Sequence, residues 1–169
     1  IYRLLGVRPT ERLDLVDLVE GALGLLERAV PAHIDLTTSL ASKPCTVRAD
    51  ATRIHQALMN LVLNARDAMP EGGELGIRVR PIVVSAEEPA PVAEMPAGTY
   101  CCLTVSDTGT GLSEEAQAHL FEPFFTTKEE QGTGLGLAQV YGIVNQHDGF
   151  IDVETAPGEG TSFSLYFPR

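Results

Sequence analysis

Three groups of residues in this chain have the types and spacing to hold a charged ligand. The first is Asp107, with glycines at 109 and 111, at the end of the run Tyr100-Cys101-Cys102-Leu103-Thr104-Val105. That run is rich in β-formers, so the carboxylate ends a strand that enters a glycine turn. A carboxylate followed by bare backbone suits a ligand with a donor edge and an anionic tail, and the exocyclic amine of adenine is such an edge. The second group is Asn60, Asn64 and Asp67, spaced four and then three apart. On a helix this spacing makes one polar stripe. Asparagine is unfavourable inside a helix without a use, so two of them one turn apart point to a ligand. The third group is Gly132, Gly134 and Gly136, interleaved with Leu135 and Leu137 and opening a helix. Bare amides at a helix start make an anion site.

Each group alone also has a plainer reading: a hairpin turn with an exposed Asp, a solvated helix face, an ordinary helix start. The glycines do not make a dinucleotide fingerprint, because no strand runs directly into them. They do not make a P-loop either, because no Gly-Lys-Ser/Thr follows.

The elements that must position these groups are legible in the pattern. Residues 1–10 read as the tail of a preceding helix and a linker. Asp14 caps a helix striped by Leu15, Leu18, Val19, Ala22, Leu25 and Leu26. His33 to Leu40 alternates as a strand, and Thr46 to Arg48 is a short one. Asp50 caps the second helix, whose broad apolar face is Ile54, Ala57, Leu58, Leu61, Val62, Ala65 and Ala68. Gly72-Gly73 ends it, and a strand follows from Glu74 to Val84. Residues 85–98, with three prolines, read as an exposed loop to the strand 99–106. Ser113 opens a short helix to about Leu120. Leu137, Val140, Tyr141 and Val144 stripe a further helix beginning near Gly134 and ended by Gly149, and strands 150–155 and 160–167 close the chain around Pro157-Gly158. This order predicts a two-layer α/β domain with a mixed sheet and helices on one face.

Composition narrows the partners. At 169 residues and 44% apolar content the chain is one domain with a full core. A net charge of −11 excludes a basic nucleic-acid face, so no nucleic acid is expected as partner. The three cysteines have neither metal nor disulfide spacing, which suits a reducing cytoplasm. No apolar run approaches the roughly 20 residues that span a bilayer. The start at Ile1 reads as a fragment of something longer.

The order of motifs is Asn60-Leu-Val-Leu-Asn64-Ala-Arg-Asp67, Asp107-Thr-Gly109-Thr-Gly111, a Phe-rich segment from Phe121 to Phe125, Gly132-Thr-Gly134-Leu-Gly136-Leu, and Gly160-Thr161-Ser162-Phe163. Taken together it resembles the catalytic, ATP-binding domain of sensor histidine kinases, in the superfamily shared with gyrase, Hsp90 and MutL. The resemblance covers nearly the whole chain. It implies the Bergerat fold, a sandwich of about five strands under three helices, over residues 11–169. The lid would be about 113–132. It implies Mg²⁺ and ATP as cofactors, and transfer of the γ-phosphoryl to a histidine.

By the same resemblance, Asp107 accepts from the adenine amine, and Thr161 reaches the base through a water. Gly109 and Gly111 let base and lid sit close. Asn64 coordinates Mg²⁺ through its amide oxygen, and Asn60 helps hold the metal and its waters. Asp67 matches the family position near the phosphates, although several kinases carry Lys there. Lys128, at the end of the lid, could reach the terminal phosphate or be a solvated surface lysine. Gly132, Gly134, Leu135, Gly136 and Leu137 line the phosphate side. Relatives of the gyrase and Hsp90 kind carry Glu at the position of Asn60 to activate water, and Asn is a poor base, which favours transfer over hydrolysis.

None of His33, His55, His119 or His147 lies in a phosphoacceptor box. The acceptor is therefore expected on a separate dimerisation domain of the same protein, with a response-regulator receiver further downstream. The fragment is expected to be monomeric and the full protein a dimer, cytoplasmic with or without a membrane anchor. The alternatives are a GHKL-type ATPase and a non-catalytic nucleotide-sensing module.

Overall fold

A computed structural model describes residues 10–42, 44–122 and 136–169. The chain opens with β1 (Glu11–Asp14), α1 (Leu15–Ala29), β2 (Ile34–Leu40), β3 (Thr46–Ala49) and α2 (Ala51–Asp67). There follow β4 (Gly73–Val84), β5 (Gly98–Asp107), α3 (Glu114–Ala118), α4 (Gly136–Gln146), β6 (Phe150–Ala156) and β7 (Gly160–Pro168).

The main sheet has the order β2-β4-β5-β7-β6, parallel only between β2 and β4. That parallel pair is joined by a crossover containing α2, as a parallel connection requires. The β4 proline, Pro81, sits past the last β2 pair, Leu40 with Val79, where β4 has no second neighbour and a missing N–H costs least.

Alternation along the strands builds the core. Leu75, Ile77 and Val79 of β4, Cys101, Leu103 and Val105 of β5, and Phe163, Leu165 and Phe167 of β7 all face the helices. They meet Leu15, Val19 and Leu26 of α1, Leu58 and Leu61 of α2, and Val140, Ile143 and Val144 of α4. The expected two-layer α/β sandwich with a five-stranded mixed sheet is what forms. Every apolar residue expected on α2 from Ile54 to Ala65 is buried.

Four expectations are corrected by packing. Residues 11–14 form a strand, β1, which pairs antiparallel with β3 as a separate ribbon. The Asp14 carboxylate caps α1 through Val16 N at 2.9 Å and also accepts from Cys45 N at 3.0 Å, so one side chain ties helix to ribbon. Leu25 lies outside the core at 51% exposure, because Ala22 and Leu26 complete the buried stripe of α1. Tyr141 is likewise 44% exposed: a step of about 100° from Val140 turns it off the face that Ile143 and Val144 complete. The segment after β4 is also more than an exposed loop. Met95 is buried, and Ala90 and Val92 pack with it over Val84, Tyr100, Cys102 and Tyr166 on the outer face of the sheet. Adjacent Cys101 and Cys102 thus serve opposite faces, as alternation expects.

Candidate functional site

Asp107 is the last residue of β5, and strand alternation puts its side chain on the helix side with Val105. It is 8% exposed. Burial pushes its carboxyl above the usual range, and the backbone N–H groups of Gly109 and Thr161 pull it partly back. The Gly109 N–H donates to Oδ1 at 2.9 Å. A carboxyl perturbed by burial and bonded by backbone N–H groups in this way is a candidate functional group.

Thr161, 5% exposed, stands opposite Asp107 in the β5–β7 register. Its hydroxyl lies 2.9 Å from that of Thr155, which donates to the Gly160 carbonyl at 3.1 Å. Thr155 has one proton and spends it on Gly160, so Thr161 donates to Thr155 and offers lone pairs to the site. Thr155 also accepts from Leu112 N at 3.0 Å. Thr155 was missed in the sequence. It lies on an edge strand five residues from its nearest partner, with no motif to mark it.

The turn after Asp107 threads between two elements. Thr110 N donates to Ala68 O, at the end of α2, at 3.1 Å, and Thr110 O accepts from Gly158 N at 2.6 Å. A Cβ on Gly109 would run into the Ala68 carbonyl, and Gly111, at φ +70°, would meet that of Ala156. Both glycines therefore serve close approach of this turn to protein backbone, which places the end of α2 beside the end of β5.

On α2, Asn60 and Asn64 are half-buried one turn apart. Asn60 Nδ2 donates to Gly136 O at 3.2 Å and to Gln139 Oε1 at 3.0 Å, which ties α2 to the first turn of α4. Asp67 is paired with its neighbour Arg66, Nη2 to Oδ1 at 3.1 Å. Arg66 thus offsets part of that carboxylate's charge. Leu137 is partly buried against the core. Phe121 stacks on Tyr141 with centroids 5.1 Å apart, which holds the chain after α3 against α4. Lys128, Gly132, Gly134 and Leu135, with Phe124 and Phe125, lie outside the described residues.

The described elements bring Asp107, Thr161, Gly109 and Gly111 to one end of the sheet, with the Asn-bearing α2 ending against the same turn. Residues 49–169 match the family model for histidine kinase-, DNA gyrase B-, and HSP90-like ATPases. This chain belongs to that family. Over 96% of its length it is 42% identical to a sensor kinase, CckA, of Brucella abortus, and 36% identical to the sensor histidine kinase ZraS of Klebsiella oxytoca. It covers 17% and 33% of those proteins, so it corresponds to a minor part of each. Among solved structures it is similar to the catalytic domain of the histidine kinase ThkA, at 31% identity and a TM-score of 0.75, with 95% of this chain and 96% of that one covered. A mycobacterial sensor histidine kinase, MprB, gives 25% identity and a TM-score of 0.73 over 94% and 97%. The chain is thus a histidine kinase-type catalytic domain, and ATP is the nucleotide of its family. Among the described residues no helix is long and apolar enough to cross a membrane.

Proposed function

We propose that this domain binds Mg-ATP and passes the γ-phosphoryl to a histidine on a separate dimerisation domain of the same protein, for relay to a receiver domain in the cytoplasm. Residues 1–10 would link the two domains. The observation that carries this reading is Asp107: a carboxylate kept in a mostly buried position at the end of β5, accepting backbone N–H groups, with the turn that follows it held against the end of α2.

In this reading Asp107 accepts from the adenine amine. Thr161 orders a water against the base through the lone pairs that Thr155 leaves free. Gly109 and Gly111 keep the turn low enough for the base to enter. Asn64 holds the metal through its carboxamide oxygen, and Asn60 holds the metal's waters. Gly132, Gly134, Leu135, Gly136 and Leu137 border the phosphates, Lys128 meets the terminal one, and Asp67, partly neutralised by Arg66, orders water nearby.

Neutral carboxamides fit Mg²⁺ at a site already crowded with phosphate charge, since the ion takes few protein ligands and keeps waters. Bound there, Mg²⁺ neutralises charge on the β- and γ-phosphates. Transfer is favoured over hydrolysis because Asn60 cannot serve as a base, and its amide hydrogens are already committed to α4.

In-line transfer needs an acceptor nitrogen about 3–3.5 Å from the γ-phosphorus. His147 is engaged at both ring nitrogens, and His119 pairs with Glu122 at 2.8 Å. The chain alone is therefore expected to bind ATP without labelling itself. Incubation with γ-labelled ATP and Mg²⁺, with and without a helical histidine domain from the same protein, tests this. Acid-labile label confined to the added domain is the expected result, and label on the isolated chain would contradict it.

A further inference from the structure

α2 and α4 run antiparallel along a polar seam. From the far end it joins Asp50 N to His147 Nε2 at 3.1 Å, Arg53 Nη2 to Gln146 Oε1 at 3.0 Å, and Gln56 Nε2 to Gln139 Oε1 at 3.3 Å. It ends at Asn60, whose Nδ2 lies 3.0 Å from the same Gln139 oxygen and 3.2 Å from the Gly136 carbonyl. A carbonyl can only accept, so the amino side of the Asn60 carboxamide must face α4. Both of its hydrogens then have acceptors, and its oxygen is the edge left for anything else.

We infer that Gln139 is a positioning residue for Asn60. Its oxygen takes one Asn60 hydrogen while the Gly136 carbonyl takes the other, and this two-point hold prevents the carboxamide from turning over. Turned over, Asn60 would present N–H groups to the metal's waters, whose own hydrogens point outward and need an acceptor. Held, it presents an oxygen. Gln56 donates to the same Gln139 oxygen at the longer distance of 3.3 Å, so it adds to the seam without being required for the hold. Gln139 touches neither nucleotide nor metal and acts through Asn60. The hold also joins α2 to the first turn of α4, so Asn60 and Gly136 move as one unit.

Gln139 is exposed, so the hold adds little to folding. Its effect falls on which edge of Asn60 the site sees. Asn60 is itself an outer-sphere group, holding the metal's waters, and losing an outer-sphere partner typically weakens metal binding by roughly 10–100-fold.

This inference rests on the proposed Mg-ATP reading for its consequence, but its geometry can be read without nucleotide. In the ¹⁵N-labelled chain, the Asn60 side-chain amide is expected to show two well-separated proton shifts and slowed solvent exchange. Gln139→Leu, which keeps roughly the volume and removes the acceptor, is expected to narrow the shift separation and speed the exchange at an unchanged melting temperature. Gln56→Leu is expected to retain them. With a fluorescent ATP analogue, the Mg²⁺ midpoint is expected to rise by roughly tenfold in Gln139→Leu. Affinity for the metal-free nucleotide should stay level. An Asn60 signal indifferent to Gln139→Leu, or an unmoved Mg²⁺ midpoint, would overturn the inference. A wild-type chain without Mg²⁺-dependent nucleotide binding would instead remove the proposed function, and the apo side-chain signal separates the two failures.

Discussion

At Asp107 a single carboxylate carries two opposed demands. Burial raises its pKa, so its proton is held more tightly in the folded chain than in the unfolded one. The sign of the linkage follows: stability falls as pH rises from the unfolded carboxylate range through the raised folded value, and returns on acidification. Keeping Asp107 ionised at neutral pH therefore costs the free domain stability, and an adenine amine donated to it would offset that cost. Asp107→Asn keeps an oxygen for the Gly109 N–H and removes the charge. We expect it to leave the ligand-free melting temperature unchanged or higher. ATP affinity should drop at least about tenfold, the loss of a charge-assisted hydrogen bond worth about 1.5–3 kcal/mol. Calorimetry alongside a thermal melt checks both, and a destabilised variant with intact affinity would contradict the role. In the wild type, ATP affinity should weaken on acidification through a midpoint above the ordinary aspartate range, because only the ionised form accepts from the amine. A titration of affinity against pH that is flat down to about pH 4, near the free aspartate value, would count against it.

At the scale of elements, the junction of α2 with α4 decides how Asn60 is presented. His147 sits at its base. Its Nδ1 is 2.7 Å from the Ile143 carbonyl, so Nδ1 carries the proton and Nε2 accepts from the Asp50 backbone N–H. The ring also meets Phe167 of β7 edge-on at 6.2 Å. One neutral imidazole thus joins the end of α4, the N-cap of α2 and the sheet. His147→Ala would leave the Asp50 N–H without its acceptor, and an unsatisfied buried donor costs about 1–3 kcal/mol. We expect a loss of that order in urea denaturation. An unchanged midpoint would show that water replaces the ring.

For the whole molecule, stability should be graded across the sheet. β5 is paired on both sides, and its inward residues Cys101, Leu103 and Val105 are fully enclosed. β2 and β6 each have one partner in the sheet. Local opening free energies follow such differences in contact and pairing. Native-state hydrogen exchange is expected to be slowest at Leu103 and Val105 and faster at the edges, for example at Thr37 and Asp152. Equal protection across the sheet would contradict the gradient. Asp107 thus ends the strand expected to be best protected, and its register partner Thr161 lies on the neighbouring strand β7.

The α2 stripe, the alternation of β4 and the Asp-x-Gly-x-Gly turn could all be read from the chain, because each is a local periodicity or a local stereochemical demand. Asn60 and Asn64 stand out in the chain because asparagine conflicts with helical preference, and Asp107 because a lone carboxylate ends a run of β-formers. Tertiary structure alone decided the partners. The β1–β3 ribbon depends on an Asp14 carboxylate meeting Cys45, 31 residues away. The burial of Met95 depends on a proline-rich segment folding back over Tyr100 and Tyr166. Thr155 and Gln139 have no marker in the chain, since a threonine on a strand and a glutamine on a helix are unremarkable locally. They acquire roles only when β7 brings Thr161 beside one and α2 brings Asn60 beside the other, because a hydrogen bond is set by distance and direction in space.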